Sequence, residues 1–208
     1  MAFTPVKIRF AEPTDAAGIV GIYAPYCDST YISFEIVAPT VEQMRERMTR
    51  ISAHYPWLVC EVDGELAGYV YASQHRERAA YRWAVDVAVY VSNAYQRQGV
   101  GRALYRSLFS ILREQYYCVA YAGICLPNPE SVGLHEAVGF KLGGVFPANG
   151  YKLGGWRDVG WWYLRLRPPV ADPPEPMPIR EIQDSAVVAS ALLDGERLVK
   201  REPAAKVS

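Results

Sequence analysis

The feature that most constrains the fold is the stretch from Val89 to Leu104, which reads VYVSNAYQRQGVGRAL. An apolar run typical of a buried strand leads into two glycines, Gly99 and Gly101, and then directly into a helical pattern. Glycines let a backbone approach a ligand closely, and the first turn of a helix presents free N–H groups at its positive dipole end. The stretch therefore predicts a seat for a phosphate or pyrophosphate.

Two well-known nucleotide-binding motifs are absent from this stretch. The phosphate loop of nucleoside triphosphatases requires a lysine followed by serine or threonine after its last glycine, and the chain lacks both here. The dinucleotide fingerprint requires a third glycine where this chain has Leu104. Arg97 and Arg102 would add positive charge around the bound anion.

The rest of the chain alternates strand and helix patterns. We predict strands at residues 6–10, 57–62, 66–71, 83–91, 118–125, 140–146 and 159–166. We predict helices beginning at Thr14 or Asp15 and at residues 40–53, 100–114 and 131–138. Asp63-Gly64 is a hairpin signal between two of the strands. This order predicts an α/β domain at residues 3–167, with a mixed sheet flanked by helices.

The composition changes at Pro168. Proline occupies six of the eleven positions 168–178, which predicts an extended, semi-rigid spacer. One short helix is predicted around Ala186 to Leu193. We therefore interpret residues 168–208 as a Pro-rich spacer and a C-terminal tail appended to the domain.

Charge, hydropathy and cysteine content exclude several classes of protein. The 22 basic residues balance 22 acidic ones, which argues against a nucleic-acid partner. No apolar run is long enough to cross a bilayer and no secretory signal is visible, so we expect a cytoplasmic protein that does not bind membranes. Four scattered cysteines and three histidines predict buried thiols and no metal site. Fifteen tyrosines and five tryptophans indicate a pocket or an interface, or equally a well-filled core.

Several motifs resemble a known family. Gln96, Gly99 and Gly101 have the spacing of the pyrophosphate loop of the GNAT superfamily of acetyl-CoA-dependent N-acetyltransferases, and the HEAVGF segment at 135–140 resembles its second signature. Segments similar to phosphinothricin N-acetyltransferases, including methionine sulfoximine and arsinothricin N-acetyltransferases, lie at residues 55–59, 63–68, 89–92, 126–128 and 154–160. The resemblance spans about residues 6–167, and it implies the GNAT acyl-CoA N-acyltransferase fold and a homodimer.

The resemblance also implies acetyl-CoA as the co-substrate, with no metal. In the superfamily the strand that contains Val89 and Val91 splays from its neighbour, so backbone groups of these residues are expected to reach the coenzyme, and one N–H to hold the thioester oxygen. Asn128 matches an asparagine that bonds the pantetheine, or alternatively caps a helix. The expected coenzyme-binding residues are Val89, Tyr90, Val91, Gln96, Arg97, Gln98, Gly99, Val100, Gly101, Arg102, Asn128 and Ser131.

Asp86 and His135 are the candidate catalytic residues. Asp86 is the only acid in its apolar strand, and desolvation should raise its pKa toward that of a useful base. The family has glutamate as the general base at this position, so the shorter aspartate favours a water relay; a structural aspartate bonded to a neighbouring loop is the alternative. His135 is a candidate acid for the departing thiolate. Its alternative is a histidine that hydrogen-bonds the backbone.

The loop that begins at His75 is basic, and arginine matches the geometry of carboxylate and phosphinate groups. The resemblance implies that Arg78 and Tyr81 bind the acidic end of the substrate, with Arg76 nearby; a solvated basic loop is the alternative. The expected substrate-binding residues are Phe34, Arg76, Arg78, Tyr81, Val159 and Gly160.

The activity implied is acetylation of the α-amino group of a small glutamate-like amino acid, such as phosphinothricin, methionine sulfoximine or arsinothricin. Its biological result would be detoxification or resistance. Two alternatives stay open: a protein N-terminus or polyamine as the acetyl acceptor, and a regulator that binds acetyl-CoA without catalysis.

Overall fold

The computed structural model describes residues 5–200, so residues 3 and 4 of the predicted domain lie outside the described part. The strands are β1 Val6–Phe10, β2 Trp57–Val62, β3 Glu65–Gln74, β4 Ala84–Val91, β5 Val119–Leu126, β6 Lys141–Lys152 and β7 Gly155–Arg165. The helices are α1 Ala16–Asp28, α2 Val41–Ser52, α3 Val100–Glu114, α4 Pro129–Ala137, α5 Ile179–Ile182 and α6 Ala186–Glu196.

All seven strands form one mixed sheet in the order β1-β2-β3-β4-β5-β7-β6. Neighbouring strands run antiparallel except β4 and β5, which run parallel. The mixed α/β sheet predicted from the sequence is confirmed. The parallel pair lies near the centre of the sheet, where the connection through α3 carries the chain from β4 to β5.

The two faces of the sheet have separate apolar cores. Leu104 and Leu108 of α3 pack with Val85 and Val87 of β4 on one face, whereas α1 and α2 pack on the other face, around Trp57. Side chains alternate between faces along a strand. Asp86 therefore points to the α1–α2 face.

Local signals in the sequence account for several boundaries. Thr40 caps α2, and its side chain and that of Gln43 exchange hydrogen bonds with each other's backbone. Asp15 precedes α1 as expected, but its carboxylate accepts hydrogen bonds from Arg9 and the Glu12 N–H instead of capping the helix.

The last two strands are longer than the sequence predicts. They form one long hairpin whose turn, Leu153–Gly154, has φ angles of 52° and 75°. The register shifts between Leu142 and Gly144 and again between Phe146 and Gly150. These irregularities break the two-residue periodicity, so the sequence pattern shows only part of each strand.

The described part of the predicted spacer and tail packs against the domain. Residues 168–178 contain neither helix nor strand, but Trp83 Nε1 donates to the carbonyl of Pro174 at 2.8 Å. Beyond them, Ser107 Oγ of α3 donates to the Ala191 carbonyl at 2.9 Å, and Val188 of α6 is buried in the α3-side core. The boundary at residue 167 stays a prediction.

Three of the four cysteines are buried and Cys118 is half-buried, as expected of structural thiols. Between residues 5 and 200, no group of three or more His, Cys, Asp or Glu side chains could hold a metal ion. Over the same range, no helix combines the length and apolar character that a bilayer crossing requires.

Candidate active site

A cleft opens where β4 and β5 separate. The two strands pair only from Ala84 to Asp86 on β4 and from Val119 to Tyr121 on β5. The last pair is Asp86 with Tyr121, so the backbone of the remaining residues of β4 is unpaired on its β5 side. The splay implied by the resemblance is present, and Asp86 lies at its apex.

The exposed backbone of β4 includes the two predicted valines. Ser92 N donates to the Ala67 carbonyl at 2.9 Å, so Val91 and Gly68 form a non-hydrogen-bonded pair of the antiparallel ladder. The N–H and C=O groups of Val91 therefore point away from β3, toward the cleft. Val89, two residues earlier, presents its groups in the same direction. Tyr26 Oη already donates to the Val91 carbonyl at 2.9 Å.

The turn after β4 presents free amides at the start of α3. Gly99 precedes the helix with φ 89°, and the first bond of the helix runs from Ala103 N to the Gly99 carbonyl. The N–H groups of Val100, Gly101 and Arg102 come before that bond and have no acceptor within the helix. Such a cradle fits a pyrophosphate, because its donors belong to the backbone and lie at the positive end of the helix dipole.

The side chains of this turn are arranged around the amides. Gln96 Nε2 donates to Asn93 Oδ1 at 2.9 Å, and Gln98 Nε2 donates to the Ala94 carbonyl at 3.0 Å. These two hydrogen bonds join residues of the turn to each other and so stabilise its conformation. Arg97 and Arg102 are exposed and form no ion pair with any other residue between 5 and 200, so their charges are available to an anion.

Residues 198–200, the last that the structure describes, contact this turn. Lys200 N donates to the Gln98 carbonyl at 2.8 Å. A Cβ added to Gly99 would meet the Leu198 carbonyl oxygen at 2.6 Å, so only glycine fits between the turn and the C-terminal segment. The positive φ of Gly99 and this close approach both require a residue without a side chain.

The structure assigns Asn128 a capping bond. Its Oδ1 accepts from Ser131 N at 3.1 Å at the start of α4, which is the alternative considered for it. The side-chain NH₂ of Asn128 keeps its capacity to donate, so contact with pantetheine stays a prediction.

His135 lies in the interior, 5% exposed. Its Nδ1 lies 2.7 Å from the Ser131 carbonyl, so Nδ1 carries the hydrogen, and Nε2 accepts from Tyr105 Oη at 2.7 Å. Desolvation lowers the pKa of His135 against the opposing effect of the bond to Ser131. Both ring nitrogens are therefore engaged in a neutral ring, which favours the backbone-bonding alternative. Its role as the acid stays a prediction without support from these contacts.

Asp86 has a partner that the sequence did not reveal. Its Oδ1 lies 2.6 Å from Nδ1 of His75, the first residue after β3. Burial raises the pKa of Asp86, and His75 and Arg76 act in the opposite direction. Asp86 is therefore bonded to the neighbouring loop, as the structural alternative expected, and that loop supplies an imidazole.

The predicted substrate loop lies beside this pair. Arg76, Arg78 and Tyr81 are all exposed, and the Tyr81 ring meets the His75 ring edge-on with centroids 5.9 Å apart. Arg76 lies near enough to Asp86 to affect its pKa. Arg78 lines a small concavity together with Arg76, Tyr81 and the Pro-rich segment. The structure thus brings Arg76 and Tyr81 to the cleft apex, while the contacts of Arg78 do not connect it to Asp86.

A second loop, residues 29–40, contains Phe34. A Cβ added to Gly150 of β6 would meet the Phe34 ring at 2.2 Å, so this ring lies directly on the strand. The loop is anchored by Lys152, whose Nζ donates to the carbonyls of Cys27, Ser33 and Glu35 at 2.5, 2.7 and 2.7 Å. Phe34 itself is 40% exposed, which is compatible with a pocket wall.

Val159 and Gly160 lie on β7 opposite Cys125 and Ile124, in the part of β5 that has parted from β4. Both are buried. A Cβ added to Gly160 would meet the Trp162 ring at 2.3 Å, so glycine at this position leaves room for that ring.

His75 and Lys152 are functional candidates that sequence reasoning missed. A signal for His75 was available, because Ser73 pairs with Asp86 across the strands and a residue two positions further is its diagonal neighbour. Finding it required the register of β3 against β4. Lys152 had no signal, because its partners are carbonyls of a distant irregular loop.

The chain is similar to known proteins of one family. Residues 8–161 match the acetyltransferase (GNAT) domain family. A phosphinothricin N-acetyltransferase of Streptomyces viridochromogenes is 40% identical over 179 residues, covering 86% of this chain and 97% of that protein. An L-methionine sulfoximine/L-methionine sulfone acetyltransferase of Salmonella typhimurium is 32% identical over 162 residues, covering 77% and 95%.

A solved structure is also similar. A GNAT superfamily phosphinothricin acetyltransferase of Sinorhizobium meliloti, in complex with acetyl-CoA, superposes with a TM-score of 0.75 at 30% identity, covering 81% of this chain and 95% of that one. The chain is thus an acetyl-CoA-dependent N-acetyltransferase with the GNAT fold. Within that class it belongs to the phosphinothricin N-acetyltransferase family.

Proposed function

We propose that the enzyme transfers the acetyl group of acetyl-CoA to the α-amino group of a small glutamate-like amino acid, of the phosphinothricin, methionine sulfoximine or arsinothricin type. The observation that carries this proposal is the position of Asp86 at the cleft apex, beside a loop that contains Arg76 and Arg78. A proton acceptor next to fixed positive charge suits an amino acid whose far end is anionic. Detoxification or resistance would be the biological result.

The proposed roles follow the two sides of the cleft. The free amides of Val100, Gly101 and Arg102 hold the pyrophosphate, and the backbone of Val89 and Val91 aligns the pantetheine arm. Asp86 is part of the catalytic base that removes the amine proton. The substrate's acidic end lies against Arg76, Arg78 and Tyr81, and Phe34, Val159 and Gly160 bound the pocket. Holding both reactants in one cleft removes much of the entropic cost of their encounter.

The charge of the loop separates this proposal from a polyamine acceptor. A polyamine site needs acidic walls, whereas this loop contains Arg76, Arg78 and Arg82 against one acid, Glu77. A regulator that binds acetyl-CoA without catalysis would need no proton acceptor at the apex. Release of coenzyme A thiol in the presence of an amine, but not in its absence, distinguishes the enzyme from such a regulator.

A panel of amines assayed for free coenzyme A thiol tests the proposal. We expect turnover with phosphinothricin, methionine sulfoximine or arsinothricin, and none with spermidine or a peptide N-terminus. Arg78→Ala should raise KM for the amino acid with little change in kcat, because it removes binding common to the ground and transition states. Asp86→Ala should abolish turnover. Turnover only with polyamines or peptides would refute the substrate class.

We also propose that the enzyme is a homodimer. The β6–β7 hairpin, at one edge of the sheet, exposes large apolar side chains, and such a patch indicates an interface. They are Leu142, Val145, Phe146, Tyr151, Leu153 and Trp156. Sedimentation of the wild type as a dimer and of Phe146→Asp as a monomer would support this assignment, and a monomeric wild type would overturn it.

A further inference from the structure

We propose that His75, positioned by Asp86, is the group that accepts the amine proton, so that the base of this enzyme is a histidine–aspartate pair. The inference rests on the proposed function and specifies its chemistry. An aspartate is one methylene shorter than glutamate, and the structure places an imidazole beside the shorter carboxylate. The pair is built from the end of β3 and the middle of β4.

The hydrogen bond fixes which nitrogen of His75 is free. A carboxylate can only accept, so Nδ1 of His75 donates its hydrogen to Asp86 Oδ1 over 2.6 Å. In the neutral ring, Nε2 then holds a lone pair. No other residue between 5 and 200 forms a hydrogen bond with Nε2, and the His75 side chain remains 12% exposed. A proton acceptor is therefore directed by Asp86 and is open to a ligand.

The ring is held in place by aromatic neighbours. It stacks on Tyr121 with centroids 4.5 Å apart and planes at 18°, and Trp161 and Tyr81 meet it edge-on at 6.1 and 5.9 Å. Tyr121 is also the residue that pairs with Asp86 across β4 and β5. The imidazole therefore lies at the apex of the cleft, where β4 and β5 begin to separate.

The proton balance is complete without another reactant. The substrate ammonium gives one proton to Nε2 of His75, and the Asp86 carboxylate stabilises the resulting imidazolium. The free amine lone pair forms the C–N bond at the thioester carbonyl, and the C–S bond breaks with its electron pair on sulfur. A second proton passes from the nitrogen to the thiolate, which gives coenzyme A thiol, and His75 returns its proton to solvent.

His75→Phe is the decisive variant, because phenylalanine keeps the stacking on Tyr121 and cannot accept a proton. We expect kcat/KM to fall about a hundredfold or more, the range for general base catalysis. Calorimetry should show unchanged affinity for acetyl-CoA, which also reports that the variant is folded. Lys7→Ala is the control, because Lys7 is exposed on the edge strand β1, far from the point where β4 and β5 separate, and its turnover should equal that of the wild type.

The pH dependence provides a readout that a structural role would not give. Wild-type kcat/KM should rise with pH as the base loses its proton, and this rise should vanish in His75→Phe. The ionisable groups that face the pair from neighbouring elements are Arg76, Tyr71, Tyr81 and Tyr121. Added imidazole should restore part of the turnover of His75→Ala, whose ring site is vacated.

Two results would overturn the proposal. One is a His75→Phe enzyme with wild-type kcat/KM and the wild-type pH profile. The other is equal loss in His75→Phe and His75→Ala without any rescue by imidazole. Wild-type turnover is measured first on the same amine panel. An inactive wild type refutes the proposed substrate class, whereas an active wild type with an unaffected His75→Phe refutes only the pair.

Discussion

The two ends of the cleft are built in different ways. The proposed coenzyme end is one continuous stretch, in which the unpaired backbone of Val89 and Val91 and the free amides before Ala103 are available for contacts. The acid–base end consists of side chains from three strands, with His75 after β3, Asp86 on β4 and Tyr121 on β5.

Because of this difference, the two ends of the cleft should tolerate different amino-acid substitutions. Backbone contacts survive many side-chain substitutions but depend on φ angles and close approaches, which glycine provides. Side-chain contacts fail when one partner is replaced, because the remaining partner loses its orientation. Substitutions that alter the backbone should therefore damage the coenzyme end, and substitutions that alter polar side chains should damage the acid–base end.

Among variants that test stability and coenzyme affinity, the largest effect is expected for Gly99→Ala. The φ of 89° strains any side chain, and the new Cβ would meet the Leu198 carbonyl oxygen at 2.6 Å. We expect a loss of about 1–3 kcal/mol in the free energy of unfolding and at least a tenfold weaker affinity for acetyl-CoA by calorimetry. Gly64→Ala is the control, because Gly64 has φ 81° with open space around it. Gly64→Ala should be less stable than the wild type but bind acetyl-CoA with the same affinity. Equal affinity of Gly99→Ala and Gly64→Ala would contradict the proposal that the backbone around Gly99 binds the coenzyme.

His135→Gln tests the hydrogen bonds of the buried His135 ring, one of which joins α4 to α3. The folded pKa of His135 is lowered from 6.5 because the ring is buried, so below pH 6.5 the unfolded chain binds the proton more readily. The free energy of unfolding should therefore fall as the pH drops through 6.5. Urea titrations at pH 5 and pH 8 should show that His135→Gln lacks this pH-dependent contribution. Loss of the bonds to Tyr105 and Ser131 should cost about 1–3 kcal/mol at pH 8.

The same variant distinguishes the two roles considered for His135, a catalytic acid and a structural histidine. A structural histidine predicts that kcat changes little once the protein is folded. A variant with wild-type stability and coenzyme affinity but greatly reduced kcat would instead support the acid role.

The smallest effect is expected for Lys200→Pro. Proline lacks the N–H that donates to the Gln98 carbonyl behind the pyrophosphate turn. A single hydrogen bond contributes about 1 kcal/mol, so acetyl-CoA affinity should weaken by up to about fivefold. Lys200→Ala keeps the N–H and should bind as the wild type does. Equal affinities in all three proteins would show that the C-terminal segment does not support the turn.

The sequence predicted most of the fold because its signals are local. The strand 6–10 and the helix 100–114 have the predicted bounds, and Thr40 and Gln43 form the predicted capping box. In the C-terminal segment, the helix predicted around Ala186 to Leu193 is present as α6. Its packing against α3 was not predicted, because no local pattern reveals it.

By itself, the sequence predicted the proposed coenzyme end, because strand, glycines and helix follow one another along the chain. The contacts of Leu198 and Lys200 with this turn come from the tertiary structure. Only the tertiary structure decided the chemistry of the other end. The register of β3 against β4 places His75 beside Asp86, and burial leaves His135 with both nitrogens bound. Proton transfer depends on distances between side chains remote in sequence, and those distances are set by the assembled sheet.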